Sequence, residues 1–238
     1  MDLLLLSNST NAGEKYLEYP KQYIAAFLAK KNVKEVLFMP FAAVTFSYNE
    51  YRDKVQERFA EFDVKVNSVH EYSDPLAAVN AAQAIVTGGG NTFHLLKNLY
   101  DLNLIDAIRT KVLNGTPYIG WSAGSNIASP TICTTNDMPI VQPQSFKALN
   151  LIPFQINPHY LDSHPDGHAG ETREQRLQEY ITANPHMYVA GLREGCMFNV
   201  NDNKLSVTGS CSVRLFKHGE EIREIEPGAD FSFLLKKD

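Results

Sequence analysis

Short apolar runs alternate with longer amphipathic segments through the first half of the chain. The runs predict strands at Leu3 to Leu6, Glu35 to Met39, Val64 to Val69, Ala84 to Thr87 and Pro117 to Gly120. Helices are predicted between them at Lys15 to Lys30, Asn49 to Phe62, Pro75 to Ala82, Thr92 to Leu99 and Ile105 to Leu113. Strands that alternate with helices are typical of βαβ units, so this half predicts an α/β fold with a mostly parallel sheet.

The pattern changes after about Met187 to short β-rich pieces separated by turn residues. Strands are predicted at Tyr188 to Gly191, Met197 to Val200, Lys204 to Thr208, Val213 to Lys217 and Phe231 to Leu235. Strands this close together favour antiparallel hairpins, which we place at one edge of the sheet. Because no linker, repeat or low-complexity tract interrupts the chain, we predict a single domain over residues 1–238.

Composition and charge exclude several classes of protein. Hydrophobic residues at 44% and charged residues at 21% are ordinary for a globular protein. The net charge of −5, without a basic stripe, argues against a nucleic-acid partner. The apolar run in the segment MDLLLLSNST is too short for a signal peptide or a membrane span. The chain has three cysteines and no CxxC pair, which fits a reducing compartment. We therefore expect a cytoplasmic protein that does not bind membranes.

The strongest local motif is Gly120-Trp121-Ser122-Ala123-Gly124, a G-x-S-x-G pattern that directly follows a predicted strand. Such a turn exposes a nucleophilic serine, Ser122, and aims the next backbone N–H, that of Ala123, at a developing oxyanion. The alternative is a strand-to-helix turn rich in small residues and without reactivity. The motif alone leaves both interpretations open.

A glycine run, Gly88-Gly89-Gly90-Asn91-Thr92, follows the strand that ends at Thr87. It is neither a Walker loop nor a Rossmann fingerprint, because the residues that define those motifs are missing. An N–H of Gly89 or Gly90 could supply the second oxyanion donor at the carboxyl edge of the sheet. A tight structural turn is the alternative.

A serine nucleophile needs a base, and the base needs an orienting carboxylate. His159 is the preferred base, because Asn157-Pro158-His159-Tyr160 follows an apolar stretch and places the ring at a strand end. Asp137 and Glu194 are the two candidate carboxylates, and local sequence does not decide between them. His164 and His168 flank a Pro-Asp-Gly turn, so we expect a solvated loop rather than a metal site.

Six segments together resemble the α-aspartyl dipeptidases of the S51 serine peptidase family: LLLLSNST, GGGNTFHLLK, YIGWSAGSNIA, TTNDMPIV, QINPHY and GHAGETREQR. The resemblance extends from Met1 to about Glu194. It implies a flavodoxin-like, class I glutamine-amidotransferase-like fold, to which the pattern of strands described above adds a small β-rich C-terminal part. It also places the nucleophile on Ser122 and the histidine on His159. The family's aspartate matches Asp137, whereas the order of nucleophile, histidine and glutamate favours Glu194. Arg193 stands beside that glutamate and could weaken its hold on the histidine.

The resemblance also implies a reaction, which is hydrolysis of Asp-Xaa dipeptides through an acyl-enzyme without metal or organic cofactor.

Arg173 is the candidate for binding the substrate's side-chain carboxylate, since a guanidinium can bind a carboxylate with two parallel hydrogen bonds. Asn91 is a further substrate-binding candidate. The segment around Arg173 also has the pattern of an exposed helix start. Two alternatives remain: cyanophycinase-like hydrolysis of β-aspartyl peptides, and a non-catalytic binding protein. The oligomeric state is left open.

Overall fold

The computed structural model describes residues 1–163 and 169–236. The strands of this part are β1 Asp2–Leu6, β2 Glu35–Met39, β3 Lys65–Ser68, β4 Ile85–Thr87, β5 Tyr118–Trp121, β6 Gln155–Pro158, β7 Val189–Leu192, β8 Met197–Asn201, β9 Lys204–Thr208, β10 Val213–Phe216 and β11 Arg223–Ile225. The α-helices are α1 Lys21–Ala29, α2 Tyr48–Ala60, α3 Pro75–Ala81, α4 Thr92–Asp101, α5 Ile105–Leu113, α6 Ala123–Asn126 and α7 Arg173–Ala183.

The larger sheet has seven strands in the order β3-β2-β4-β5-β1-β8-β9. The first five lie parallel, and β8 and β9 add to the edge as an antiparallel hairpin. The prediction of a mostly parallel sheet flanked by helices is therefore confirmed. Because β4, β5 and β1 are parallel neighbours, the residues that follow their carboxyl ends meet at one edge of the sheet.

A second sheet of four strands has the order β11-β10-β7-β6. In it β6 and β7 lie parallel, whereas β10 and β11 join antiparallel. The prediction that all the C-terminal strands extend the first sheet is wrong: only β8 and β9 do, because β7 pairs with β6 instead. The largest core cluster contains residues of both sheets, including Leu5 and Ile156.

Two elements differ from their predicted bounds for local reasons. The first helix begins at Lys21 rather than Lys15, because Leu17 has a positive φ of 53° that no helix accommodates and Pro20 stands at the N-cap. The strand predicted at the C-terminus is a 3-10 helix, Ser232–Leu235. There the Asp230 carboxylate accepts from Ser232 N–H, a local turn that competes with strand pairing.

Helices cover both faces of the larger sheet. The helix α2 buries Tyr51, Val55 and Phe59, which recur every four residues and so share one face. The helix α4 similarly buries Leu95, Leu96 and Leu99. In the described part of the chain, no helix is long and apolar enough to cross a membrane.

Candidate active site

Ser122 lies at a sharp turn between β5 and α6. It is the N-cap of α6 with φ 53° and ψ −113°, a strained conformation for a residue with a side chain. The turn packs tightly against β4, since a Cβ on Gly124 would lie 2.2 Å from the Thr87 carbonyl oxygen. The small residues of the motif therefore let α6 approach the sheet and leave the Ser122 hydroxyl at its carboxyl edge.

His159 and Glu194 come from the second sheet. His159 follows β6 and Glu194 lies just beyond β7, and these two strands are parallel neighbours. His159 Nε2 lies 2.9 Å from Ser122 Oγ, and His159 Nδ1 lies 2.6 Å from Glu194 Oε1. The structure thus brings the predicted nucleophile and base together with Glu194. In this arrangement the imidazole can receive the serine proton while the carboxylate holds the ring.

Ser7, which directly follows β1, ties the two sheets together at this point. Its hydroxyl donates to the Leu192 carbonyl at 2.7 Å and accepts from His159 N–H at 2.8 Å. The His159 backbone has a positive φ of 52°, so this hydrogen bond helps to hold an uncommon conformation. Sequence analysis missed Ser7. The available signal was its place at the end of a strand, in the first segment of the S51 resemblance.

The glycine run lies against the nucleophile. A Cβ on Gly89 would lie 3.0 Å from Ser122 Cβ, so this position has little room for a side chain. Tyr51 OH donates to the Gly89 carbonyl at 2.9 Å and accepts from Trp121 Nε1 at 3.1 Å. In the described part of the chain, neither the Gly89 nor the Gly90 N–H donates a hydrogen bond. These N–H groups, with that of Ala123 at the first position of α6, fit the predicted oxyanion donors.

Asp137 and Asn91 are placed at the start of α4 rather than beside the imidazole. Asp137 Oδ2 accepts from Thr92 N–H at 2.7 Å, from the Thr92 hydroxyl at 2.5 Å and from the Thr135 hydroxyl at 3.1 Å. Asn91 caps the helix, because its Oδ1 accepts from His94 N–H at 3.0 Å and its Nδ2 donates to the Met138 carbonyl at 2.8 Å. The carboxylate that contacts His159 is therefore Glu194.

Two cavities flank the pair of Ser122 and His159. The first, here the Arg173 cavity, has a volume of about 200 Å³ and is lined by Thr92, Ser122, Thr135, Asn136, Asp137, Pro158, His159, Leu161, Arg173 and Glu194. The second, here the Lys54 cavity, has a volume of about 360 Å³ and is lined by Ser9, Tyr16, Phe46, Tyr51, Lys54, Gly89, Gly90, Trp121, Ser122 and His159. Because Ser122 and His159 line both cavities, a substrate bound at Ser122 can extend into each of them.

Arg173 is a half-buried cation at the first position of α7. Burial, with Arg176 nearby, lowers the pKa of its guanidinium from the ordinary value, although an arginine stays protonated. No Asp or Glu among residues 1–163 and 169–236 forms an ion pair with it. A cation without a carboxylate partner in this part of the chain, in a cavity that reaches the nucleophile, is suited to an anionic group of a ligand. Asn91, by contrast, lines neither cavity.

Arg193 does not contact Glu194 in the described structure, although its neighbouring place in the sequence suggested that it could weaken the contact between Glu194 and His159. Its guanidinium donates to both carboxylate oxygens of Asp162, at 2.8 and 2.5 Å, and to both of Glu224, at 2.9 Å each. These hydrogen bonds from Arg193 hold the pKa of Glu224 down at about 2. The ion-pair network therefore keeps this cation turned away from the carboxylate that contacts His159.

Metal ligation receives no support in residues 1–163 and 169–236, where no group of three or more His, Cys, Asp or Glu side chains is arranged to hold a metal ion. The pair His164 and His168, which we expected to lie in a solvated loop, falls outside the described residues.

Comparisons with known proteins identify the family of the chain. The sequence model of peptidase family S51 matches residues 3–208. A Peptidase E of Nostoc sp. is 51% identical over 99% of this chain and 97% of its own, and a Peptidase E of Salmonella typhimurium is 46% identical over 97% and 100%.

Solved structures share the fold at lower identity. A peptidase of an acI-B1 actinobacterium has a TM-score of 0.71 at 18% identity, with 98% of this chain and 96% of that chain covered. A protein of Listeria monocytogenes EGD-e assigned to peptidase E has a TM-score of 0.66 at 21% identity, with 88% and 98% covered. Together, the match to the family and the close relatives show that this chain belongs to peptidase family S51.

Proposed function

We propose that this peptidase hydrolyses dipeptides with an N-terminal aspartate, and that it does so through an acyl-enzyme on Ser122. The observation that carries the proposal is the hydrogen-bonded line from Ser122 Oγ through the His159 ring to Glu194, with distances of 2.9 and 2.6 Å. Relatives named Peptidase E support peptide cleavage. The choice of an N-terminal aspartate rests on the charges of the Arg173 cavity and on the resemblance described above.

In the first half-reaction Ser122 Oγ attacks the carbonyl carbon of the aspartyl residue while its proton passes to His159 Nε2. Glu194, at the other ring nitrogen, orients the imidazole and stabilises the imidazolium that forms. The tetrahedral intermediate collapses when the C–N bond breaks and His159 donates the proton to the departing amine. An aspartyl ester on Ser122 remains.

In the second half-reaction a water molecule replaces the departed amine. His159 takes a proton from this water as it attacks the ester carbonyl, then returns it to Ser122 Oγ as the C–O bond breaks and aspartate is released. In both steps the negative charge forms on the former carbonyl oxygen. The N–H of Ala123 and that of Gly89 or Gly90 would stabilise it, because they are held by the fold before the substrate arrives.

The charges of the Arg173 cavity match an N-terminal aspartate. Arg173 would bind the side-chain carboxylate of the substrate in two parallel hydrogen bonds. Asp137 lines the same cavity, and its Oδ1 accepts no hydrogen bond within the described part of the chain. We assign to it the substrate's α-ammonium group, which only a peptide with a free N-terminus carries. Asn91 stays a predicted substrate-binding residue, although its side chain is committed to capping α4.

We also propose that the reaction takes place in the cytoplasm. Cys133, Cys196 and Cys211 are free thiols, which fits a reducing compartment.

A panel of matched dipeptides tests the substrate class. We expect the purified protein to hydrolyse Asp-Leu at least about a hundredfold more efficiently than Asn-Leu, because the neutral amide leaves Arg173 unpaired. N-acetyl-Asp-Leu should fail as well, since it lacks the ammonium group. Equal rates for Asp-Leu and Asn-Leu would contradict the proposal, and faster cleavage of β-Asp-Leu would replace it with the cyanophycinase-like chemistry.

A further inference from the structure

The Lys54 cavity contains a second cation that the proposed chemistry has not used. Lys54 lies on α2, one turn after Tyr51, and its Nζ lies 4.3 Å from the centroid of the Tyr16 ring. Tyr51 itself donates to the Gly89 carbonyl. The ammonium group thus lies over an aromatic ring in the cavity that Ser122 and His159 also line.

The Lys54 ammonium has no carboxylate partner among the residues that the structure describes. The residues that line the cavity include no Asp or Glu, and Lys54 forms no ion pair with any residue in the ranges 1–163 and 169–236. The Arg173 cavity differs, because its cation shares the space with Asp137 and Glu194. The two cavities therefore differ in charge: the Arg173 cavity suits a group that carries both a carboxylate and an ammonium, whereas the Lys54 cavity suits a carboxylate alone.

A free Asp-Xaa dipeptide carries a carboxylate on each of its residues. If the aspartyl residue occupies the Arg173 cavity, attack by Ser122 places the leaving residue on the opposite side of the scissile bond, in the Lys54 cavity. Building on the function proposed above, we propose that Lys54 binds the C-terminal α-carboxylate of the leaving residue. The aromatic wall of Tyr16, Phe46, Tyr51 and Trp121 then receives its side chain.

This assignment makes Lys54 a determinant of substrate length. In a dipeptide the free carboxylate follows the scissile bond by one residue, so a cation that lines this cavity beside the nucleophile recognises it directly. In a tripeptide or a dipeptide amide the same position is occupied by a neutral amide, which offers the ammonium no opposite charge. The chain should therefore favour dipeptides with a free C-terminus over longer or blocked peptides.

The test compares Asp-Leu with Asp-Leu amide as substrates of the wild type, Lys54→Met and Lys54→Arg. The wild type should favour the free acid by about tenfold in kcat/KM, the size of one charge-assisted hydrogen bond. In Lys54→Met the ratio should fall to about one, and Lys54→Arg should restore most of it. Lys97→Met serves as the matched control, because Lys97 is a partly exposed lysine of α4 that pairs with Asp101 and lines neither cavity. Its ratio should equal that of the wild type.

The other possible outcomes contradict either the role of Lys54 or the proposed function as a whole. If the wild type hydrolyses the amide as efficiently as the acid, or if Lys54→Met keeps the wild-type ratio, Lys54 is a solvated surface lysine and this inference is wrong. If the wild type releases no aspartate from either substrate, the proposed function is wrong and the inference falls with it. Circular dichroism of Lys54→Met verifies that the exposed substitution leaves the fold intact.

Discussion

Glu194 Oε1 lies 2.6 Å from Nδ1 of His159, on the side of the ring opposite Ser122. Asp137, the other candidate carboxylate, makes its hydrogen bonds to Thr92 and Thr135 instead. The two carboxylates therefore differ in position, although both line the Arg173 cavity. This difference predicts that their neutral variants will fail in different steps of the reaction.

Glu194→Gln should lower kcat for Asp-Leu by about two to four powers of ten and leave KM almost unchanged. The amide cannot stabilise the imidazolium, which exists only in and after the transition state. Asp137→Asn should instead raise KM more than it lowers kcat, because the substrate's ammonium loses its partner. Steady-state kinetics of both variants separates these effects, and an equal effect on kcat would refute the division of roles.

Tyr51→Phe should impair oxyanion stabilisation without touching the nucleophile. The trans peptide between Gly89 and Gly90 points its N–H away from its carbonyl, so the hydrogen bond from Tyr51 to that carbonyl also fixes the N–H. We expect kcat to fall about tenfold, and the affinity for an aspartyl aldehyde, which mimics the tetrahedral state, to fall by the same factor.

The affinity of Tyr51→Phe for the product aspartate should stay near that of the wild type. Tyr100→Phe is the matched control, because it removes a similar hydrogen bond, from Tyr100 OH to the Lys147 carbonyl at 2.9 Å, outside both cavities. If aldehyde and aspartate affinities fell together in Tyr51→Phe, the residue would serve general packing rather than the oxyanion site.

Arg173→Ala should lower kcat/KM for Asp-Leu by about two to four powers of ten, as expected when one partner of a partly buried charge pair is lost. Its kcat/KM for Asn-Leu should change far less, so that the preference for aspartate disappears. Arg176→Ala is the control, because Arg176 is 60% exposed and lies 3.8 Å from Glu171 on the surface. A wild-type preference in Arg173→Ala would show that another group recognises the aspartate.

The network around Arg193 predicts a pH-dependent contribution to stability. Glu224 has a pKa of about 2 in the folded protein, depressed from 4.5 mainly by its hydrogen bonds with Arg193. A depressed carboxyl pKa stabilises the fold above the unfolded value, and this contribution is lost as the pH falls from about 4.5 towards 2. Glu224→Gln should therefore lower Tm at pH 6, and the difference from the wild type should shrink by pH 3.

Glu226→Gln is the control for this measurement, because Glu226 is exposed and joins no ion pair with the described residues. A Tm difference for Glu224→Gln that did not depend on pH would mean that the carboxylate acts through packing rather than charge.

Much of this site was predictable because its parts follow strands. Ser122 was identifiable from small residues after an apolar run, and His159 from its place at a strand end. The choice of Glu194 over Asp137 was not decided locally, since it depends on β6 and β7 pairing in a second sheet, a contact between distant segments. The interpretation as a single domain stays a prediction, supported by the core that both sheets share.

Other features depend on contacts that no local pattern encodes. Tyr51 follows helical spacing like any buried residue of α2, and only the folded chain brings its hydroxyl to Gly89. Lys54 has the pattern of an ordinary exposed helical lysine. The sequence suggested that Arg193 could weaken the contact between Glu194 and His159. The actual partners of Arg193, Asp162 and Glu224, each lie 31 residues away in the chain, so no local pattern reveals them.

The most direct test of the central claim is the release of aspartate from Asp-Leu by Ser122→Ala at the same protein concentration as the wild type. Alanine has no hydroxyl to form the acyl-enzyme, and it leaves the turn and the His159–Glu194 pair in place. We expect a loss of about three or more powers of ten in kcat with an unchanged circular dichroism spectrum. A folded variant that kept more than about a tenth of wild-type kcat would contradict the assignment of Ser122 as nucleophile.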